Sequence, residues 1–399
     1  MRYFLFILFI LSPILSFVYA QINLDSLQKA YHLTKEDTIK FTLAKELRSE
    51  FYESFTEKAF HYNHQMIEIA IKLNDNQRLA YAYAKMGDLY RGIVNDTAVL
   101  YYDSSIICYN NHKDFDAAMK VLNRKCGVYK RIGDYESAWP CYGDLEKMSI
   151  EHNNDYYLGS TYTRFADLYR YAGDYPNATN FYLKAISIFE KGGYKDDMAG
   201  SLNNLAVTYS LQGNNDKSRE IQFKNLQILE EIGDSVSMVL SLNNIGSDLW
   251  EFGKREDALE IYERAKQIID ELGEERVGYK YVSGYNSNMA YVEMDLKHYN
   301  KAREYLLKAL KLKEGANSTK GISTICGDLA LLEILTGNYT MARHYINRKL
   351  KLSEEMAYPN GVMESYQLFS ELYSTSGSYK LAFEYLEKYL VLILQNQEL

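Results

Sequence analysis

Proline is scarce in this sequence, and so is positive charge. Only 4 of the 399 residues are proline, whereas 47% are hydrophobic. So little proline argues against a disordered chain, a collagen-like chain and a loop-rich β-sandwich, and it suits long α-helices. The 45 Lys and Arg residues are outnumbered by 53 Asp and Glu, which gives a formal net charge of −8. The chain therefore has no general basic field that would attract nucleic acid.

Cysteine is rare as well. The four cysteines are Cys108, Cys126, Cys141 and Cys326, and none of them belongs to a C-x-x-C pair. This number and spacing exclude a fold built on disulfides. In an oxidising compartment, Cys126 and Cys141 are the pair best placed to form a single bridge. The interpretation we favour is that all four are small, unpaired residues buried in helices.

Sequence signatures of catalysis are missing too. There is no phosphate-binding loop of the form G-x-x-x-x-G-K-[ST] and no G-x-S-x-G nucleophile elbow. Residues 233–235 read Gly-Asp-Ser, but they lie between two predicted helices, where Asp234 or Ser235 suits a helix N-cap. Among seven histidines only His61 and His64 lie within one helical turn, and no third ligand accompanies them. We therefore predict no enzymatic activity, no cofactor and no metal site.

The first twenty residues differ from the rest of the chain. Arg2 supplies a positive charge, residues 4–18 are almost wholly apolar, and small residues precede Gln21 at Val18 and Ala20. This is the layout of a secretory signal peptide covering residues 1–20. The alternative is an uncleaved anchor, but a spanning helix needs about 20 apolar residues. We expect an exported protein, periplasmic or secreted, with no membrane span after cleavage.

The remaining sequence repeats itself about every 40 residues. Each copy has a turn residue, usually glycine, and a small residue, usually alanine, five positions later. The turn residues are Gly133, Gly173, Gly213, Gly253, Lys297, Gly337 and Gly377, and the only step that is not 40 is the step of 44 before Lys297. Self-similarity at such a period indicates stacked structural repeats.

Each repeat reads as two amphipathic helices, which we call helix A, before the turn, and helix B, after it. Twelve positions before the small residue of helix B lies a small residue of helix A: Cys126, Ala166, Ala206, Gly246, Ala290, Ala330 or Ser370. Small side chains at both positions allow the two helices to approach closely. Glycine at the turn suits a left-handed C-cap, and the Asp, Asn or Ser that often follows can cap helix B.

The repeat resembles the tetratricopeptide repeat. That family has small–x2–aromatic in helix A and small–x3–aromatic–x2–small in helix B, a pattern met by Ala166, Tyr169, Ala178, Tyr182 and Ala185. Its usual tryptophan and proline are replaced here, and the period is 40 rather than 34. The longer period and the Asn-Asn pairs resemble the kinesin-light-chain and bacterial peptide-receptor branches. The resemblance implies an all-α fold, a right-handed α-solenoid of about eight helix-turn-helix repeats.

The resemblance also divides the chain. The array covers residues 79–396, with repeats that start near residues 79, 119, 159, 199, 239, 283, 323 and 363. Residues 21–78 are predicted to be helical but repeat only loosely, so they form an N-terminal cap, which could be a degenerate ninth repeat. Such arrays need atypical ends for solubility.

The resemblance places a ligand on a concave groove lined by helix A residues. Polar residues two or three positions before the small helix A residue could bind the backbone of an extended peptide, because an amide side chain both donates and accepts. The proposed ligand-binding residues are Arg164, Asn203, Asn204, Asn243, Asn244, Trp250 and Asn288. Arg170, Tyr171 and Tyr291 could add pockets. The alternative is that the asparagines, Asn203 and Asn243 above all, bond neighbouring helices and hold the array together.

Two functions remain in competition. The first is an exported, non-catalytic scaffold or adaptor that binds a protein segment or peptide in the groove. The second is the sensor portion of an envelope signalling regulator, truncated or paired with a separate output subunit. The last helix carries Phe383, Leu386 and Leu390 on a face that a next repeat would normally cover. Self-association through that helix is a further prediction.

Overall fold

The computed structural model describes residues 24–52 and 57–397, and within these ranges the chain forms α-helices and no strands. The described residues divide into two compact units at Thr208 and Tyr209, inside one helix. The first unit contains α1 (24–33), α2 (Asp37–Glu50), α3 (Glu57–Lys72), α4 (Asn76–Tyr90), α5 (Asn95–Asn111), α6 (Phe115–Ile132), α7 (Tyr135–Glu151), α8 (Asp155–Tyr171), α9 (Tyr175–Gly192) and most of α10 (Lys195–Leu211).

The second unit continues the alternation of paired helices. It contains α11 (Asn215–Ile232), α12 (Ser235–Glu251), α13 (Arg255–Leu272), α14 (Glu274–Val277), α15 (Tyr279–Asp295), α16 (Tyr299–Gly315), α17 (Thr319–Leu335), α18 (Tyr339–Glu355), α19 (Pro359–Thr375) and α20 (Tyr379–Gln397). The short α14 adds four residues between α13 and α15, which accounts for the one step of 44 in the sequence. The predicted all-α class is confirmed.

Local capping explains where these helices begin and end. The side-chain oxygens of Asp134, Asp174 and Asp234 each accept a hydrogen bond from the backbone N–H three residues later, which satisfies a donor at the helix start. The sequence prediction that Asp234 or Ser235 caps a helix is therefore confirmed, with Asp234 as the cap. Gly133 ends α6 in the left-handed conformation, with φ of 78°, which a side chain would disfavour.

Helix A of each repeat begins about one turn earlier than the sequence suggested. The first helices of the eight repeats begin at residues 76, 115, 155, 195, 235, 279, 319 and 359, whereas the predicted repeats started near 79 to 363. The helices extend back from the predicted starts to the capping residue, Asp114 for α6 and Asn154 for α8.

The core lies where the small residues of paired helices meet. Ala166 on α8 and Ala178 on α9 are fully buried, and the Tyr182 ring is buried beside them. The same arrangement occurs in the second unit, where the ring of Tyr262 on α13 lies against Gly246 on α12. A Cβ atom at Gly246 would lie only 2.6 Å from that ring. The backbone of α12 therefore approaches Tyr262 as closely as a glycine allows.

Substitution of Gly246 by valine tests this packing. Because Tyr262 is buried and cannot move aside, we expect Gly246→Val to lower the free energy of unfolding by about 2 kcal/mol. Gly284→Val on α15 is the matched control, since a Cβ there has only the Asn243 amide nitrogen near it, at 4.0 Å. Urea unfolding followed by circular dichroism measures both. Equal losses in the two variants would show that the close approach is not the cause.

The cysteines correct one sequence interpretation. Cys126 on α6 and Cys141 on α7 form a disulfide, with their Cα atoms 5.4 Å apart. Our preferred interpretation of four unpaired cysteines was therefore wrong for this pair, although both residues are buried as expected. The paired small positions of helices A and B bring two adjacent helices close enough for a bridge. Cys108 and Cys326 are not bridged.

The ends of the chain are only partly described. The predicted signal peptide at residues 1–20 lies outside the described residues. The predicted cap at 21–78 contains α1, α2 and α3, and Phe41, Leu47 and Met66 are buried in their shared core. Its last three residues belong to α4, the first helix of the array.

Candidate ligand-binding surface

In the first unit, two predicted ligand-binding residues contact an aspartate. Arg164 on α8 and Asn204 on α10 each donate a hydrogen bond of 3.4 Å to the Asp167 carboxylate. Arg164 keeps 39% of its side chain exposed, so it remains accessible to a ligand. Asn203, the neighbour of Asn204, is half-buried. Arg164 and Asn204 therefore already use part of their hydrogen-bonding capacity on Asp167.

Asp167 is the centre of a buried polar network. Its carboxylate accepts hydrogen bonds from the Lys130 ammonium at 2.5 Å and from the Tyr182 hydroxyl at 2.6 Å. Burial alone would raise the pKa of Asp167, but the Lys130 ammonium and the hydrogen bonds it receives hold that pKa below its usual range. The network therefore ties helices α6, α8, α9 and α10 together through one charged group.

In the second unit, Asn243 has a structural role. Its side chain is only 4% exposed and donates to the carbonyl oxygen of Tyr281 on α15 at 3.3 Å. A second contact joins the same two helices, since the side-chain amide of Asn288 on α15 donates to the backbone carbonyl oxygen of Asn243 at 3.2 Å. The alternative reading, in which Asn243 bonds a neighbouring helix, is the one the structure supports for this residue. Asn244 is half-buried.

Two other predicted residues, Trp250 and Asn288, line one open cleft. The cleft has a volume of about 310 Å³ and lies among α12, α13 and α15. We call it the α12–α15 cleft, and its walls are Ser247, Trp250, Glu251, Tyr262, Asn288, Tyr291 and Asp295. The helix A residues of two successive repeats therefore converge on one site, with Tyr262 of a helix B at its base.

Polar contacts fix the aromatic walls of the α12–α15 cleft. The Trp250 indole N–H donates to the Asp295 carboxylate at 2.8 Å, and the Tyr291 hydroxyl donates to the Asp328 carboxylate at 2.5 Å. Burial raises the pKa of Tyr262, and the nearby carboxylates of Glu251 and Asp248 raise it further. The cleft is thus aromatic and negatively charged, and its rings are held in place before a ligand arrives.

Sequence reasoning identified part of this site. It found Trp250, Asn288 and Tyr291, which share the spacing of helix A, but it missed Glu251 and Asp295. Both acidic residues lie at the last positions of their helices, α12 and α15, where solvated charge is the usual interpretation. Arg170 and Tyr171 belong to the first unit, where the Arg170 guanidinium lies 4.8 Å from the Tyr171 ring centre, and they do not contribute to the cleft.

Asp328 should make stability depend on pH. Burial raises its pKa to about 6, so between its unfolded pKa of about 4 and pH 6 the folded protein binds the extra proton. Stability then falls as pH rises through this window. Between pH 5 and pH 7 we therefore expect the free energy of unfolding of wild type to fall by about 1.3 kcal/mol relative to that of Asp328→Asn, which keeps an acceptor for Tyr291.

Urea unfolding at the two pH values measures this change. Glu260→Gln on α13 removes an exposed carboxylate and serves as the control. Its stability relative to wild type should be the same at pH 5 and pH 7. Lys349 and Glu364, which pair with each other at 2.7 Å beside Asp328, remain unchanged in both variants. A wild-type curve parallel to that of Asp328→Asn would contradict the raised pKa.

Two features are absent from the described residues. Among residues 24–52 and 57–397 there is no group of three or more His, Cys, Asp or Glu side chains placed to hold a metal ion. No helix in the same ranges combines the length and the apolar character that crossing a membrane requires.

The paired helices, close small residues and helix A cleft define a helical repeat protein. Tetratricopeptide-repeat family models match residues 197–271 and, with a second model, residues 159–191 and 284–315. The repeats within these matched residues are tetratricopeptide repeats, and the predicted family resemblance and helical solenoid fold are confirmed. No curated protein is significantly similar to the chain in sequence.

Several solved structures share the fold. Aspartyl phosphate phosphatase F from Bacillus subtilis is 14% identical with a TM-score of 0.57, covering 84% of this chain and 89% of its own. The apo form of the quorum sensor NprR from B. thuringiensis is 17% identical with a TM-score of 0.50, covering 94% and 98%. A signal transduction ATPase from Pyrococcus horikoshii with a tetratricopeptide repeat sensor is 16% identical with a TM-score of 0.58, covering 90% and 52%.

Proposed function

We propose that this protein is an exported, non-catalytic adaptor that binds a protein segment or peptide on the helix A surface of its repeats. The observation that carries the proposal is the α12–α15 cleft, in which Trp250, Asn288 and Tyr291 from two successive repeats form one open site. Open clefts with fixed aromatic walls and a few polar groups suit binding of a side chain from a ligand. Half-buried Asn204 on α10 and half-buried Asn244 on α12 each lie on a helix A of their own unit, where each can contact a peptide backbone.

A cross-linked pull-down tests the adaptor role. Tagged 21–399 is recovered from the native envelope fraction and its partners are identified by mass spectrometry. We expect one stoichiometric partner, which the double variant Asn204→Ala with Asn244→Ala loses while its helicity and thermal midpoint stay near wild type. If that variant keeps the partner, the helix A surface is not the binding site.

Two further variants separate binding from folding. Asn110→Ala with Asn180→Ala makes the same change at exposed positions of two helices B, α5 and α9, and should keep the partner. Asn243→Ala removes a buried residue that bonds Tyr281, so it should lower stability first. Loss of the partner in the helix B control would show that asparagine removal acts generally.

Export rests on the sequence of residues 1–20 and forms part of the proposal. Cleavage before Gln21 would give a mature N-terminus that intact-mass measurement identifies. A protein recovered with residues 1–20 still attached would contradict export by signal cleavage.

The alternative is a sensor portion of an envelope signalling regulator. The specific observation that favours it is the structural neighbour in which tetratricopeptide repeats are named as a sensor. An in-frame membrane helix and an output module encoded downstream in the genome would support this alternative, and an unrelated gene there would count against it.

We also propose that α20 mediates self-association. Phe383, Leu390 and Leu394 on α20 are 68%, 49% and 64% exposed, which is unusual for such large apolar side chains. We expect the protein to sediment as a concentration-dependent dimer, and Phe383→Glu with Leu390→Glu to sediment as a monomer. Lys380→Glu changes an exposed residue of the same helix and should leave the dimer intact. A monomeric wild type would refute the proposal.

A further inference from the structure

The α12–α15 cleft combines aromatic rings with carboxylates. Trp250, Tyr262 and Tyr291 supply three rings, and Glu251 and Asp295 supply two carboxylates on the same walls. The faces of aromatic rings attract cations, tryptophan most strongly, and neighbouring carboxylates add to that attraction. The chemistry of the walls therefore favours a cationic group over a neutral or anionic one.

A cation of the chain itself already uses part of this site. The guanidinium of Arg255, in the first turn of α13, lies 5.2 Å from the ring centre of Trp250 and 3.8 Å from the Asp295 carboxylate. Its side chain is 54% exposed, so solvent surrounds much of it and few contacts hold it there. Arg255 shows that Trp250 and Asp295 together accept a guanidinium, and its exposure means that few contacts are lost when it moves away.

The charge of the surrounding helices also favours a cationic ligand. Helices A of the second unit, α12, α15, α17 and α19, carry eight Asp or Glu and two Lys. A neighbouring cleft contains Asp328, Glu364 and Glu371, and the Lys349 in its wall is paired with Glu364 at 2.7 Å. Helices α4, α6 and α8 of the first unit differ, with nine Lys or Arg and four Asp. Among the helices A compared, the excess of acidic residues is thus confined to the second unit.

We propose that the α12–α15 cleft binds an arginine or lysine side chain of the ligand, and that the ligand segment on the second unit is basic. This inference rests on the proposed function, because it names the chemistry of the segment that the helix A surface binds. Trp250 and Tyr291 contact the cation through their rings, and Glu251 and Asp295 neutralise its charge. Arg255 competes with it for Trp250 and Asp295.

The two tryptophans of the chain make the test direct. Trp250 lies in the cleft, and Trp139 lies in the first unit against Phe165 and Tyr169, so their indole N–H signals report different places. Protein 21–399 with 15N-labelled tryptophan is titrated with acetyl-Gly-Arg-Gly-amide, and the signals are assigned with Trp139→Phe. We expect the Trp250 signal to shift and saturate while the Trp139 signal stays still.

A neutral isostere and three variants isolate the cation. Acetyl-Gly-citrulline-Gly-amide has the same size but no charge, and should bind about tenfold more weakly. Glu251→Gln with Asp295→Asn should weaken arginine peptide binding about tenfold, because it removes two charges and keeps an acceptor for Trp250. Arg255→Ala should strengthen binding of the arginine peptide about threefold, because the competing guanidinium is gone. Arg264→Ala, on the same helix but paired with Glu230, is the matched control and should bind as wild type does.

Three results would overturn the proposal. They are an unchanged Trp250 signal, equal binding of the arginine and citrulline peptides, and equal gains in Arg255→Ala and Arg264→Ala, which would reflect net charge alone. Failure of this proposal is distinguishable from failure of the adaptor role. The titration reports the cleft alone, whereas the pull-down reports the partner.

Discussion

Substitution of Asp167 by alanine is expected to lower the free energy of unfolding by about 3–5 kcal/mol, the cost of removing one partner from a buried charge pair. Asp167 is 4% exposed, and its loss leaves the Lys130 ammonium and the Tyr182 hydroxyl without their acceptor. Because the Tyr182 side chain is fully buried, water cannot replace that acceptor at low cost. Urea unfolding of 21–399 at pH 7 measures the loss.

The pH dependence of this loss has a definite sign. The folded pKa of Asp167 lies below its unfolded value, so its stabilisation is present above about pH 4 and disappears as pH falls further. The difference between wild type and Asp167→Ala should therefore shrink in acid. Asp167→Asn keeps an acceptor for Tyr182, so its free energy of unfolding should lie between those of wild type and Asp167→Ala. Asp144→Ala on α7 removes an exposed carboxylate and should change stability by less than about 0.5 kcal/mol.

Removal of the Cys126–Cys141 disulfide is expected to cost about 3 kcal/mol, as the entropy of a loop of this length predicts. The bridge closes a loop of 15 residues between α6 and α7. The variant Cys126→Ala with Cys141→Ala should therefore unfold at lower urea concentration than wild type. Dithiothreitol should lower the urea concentration at which wild type unfolds to that of the variant, and it should not change the unfolding of the variant.

The number of reactive thiols is an independent test of the disulfide. Unfolded, non-reduced wild type should expose two thiols, those of Cys108 and Cys326. Four reactive thiols, together with no effect of dithiothreitol on unfolding, would show that the bridge does not form in solution. A bridge that does form would agree with the proposed export to an oxidising compartment.

The repeat architecture could be predicted because the same pattern of residues occurs in repeat after repeat. One turn glycine or one alanine is weak evidence, but seven copies at a fixed spacing leave little choice of fold. Even the irregular step of 44 was visible, although its cause, the four-residue α14, was not. Helix starts were less predictable, since capping residues such as Asp114 extend a helix beyond its apolar positions.

The candidate site was only partly predictable, because its residues also bond one another. The spacing of helix A identifies Asn204, Asn243 and Asn288, but spacing cannot show that Asn204 bonds Asp167 and that Asn288 bonds Asn243. A signal for the role of Asp167 as an acceptor did exist. Asp88 follows Gly87, Asp167 follows Ala166, and in each case the carboxylate accepts from a helix B tyrosine, Tyr102 or Tyr182.

The order of helix packing also has a consequence for how the chain folds. Within each unit a helix packs on the next helix, as α8 packs on α9 and α15 on α16, or on the one after it, as α17 packs on α19. Contact order is therefore low, and such topologies fold quickly, since little chain entropy is lost before contacts form. The same arrangement lets one helix pair open while distant pairs keep all their contacts. A ligand that needs an opened repeat can thus be admitted without unfolding the rest of the chain.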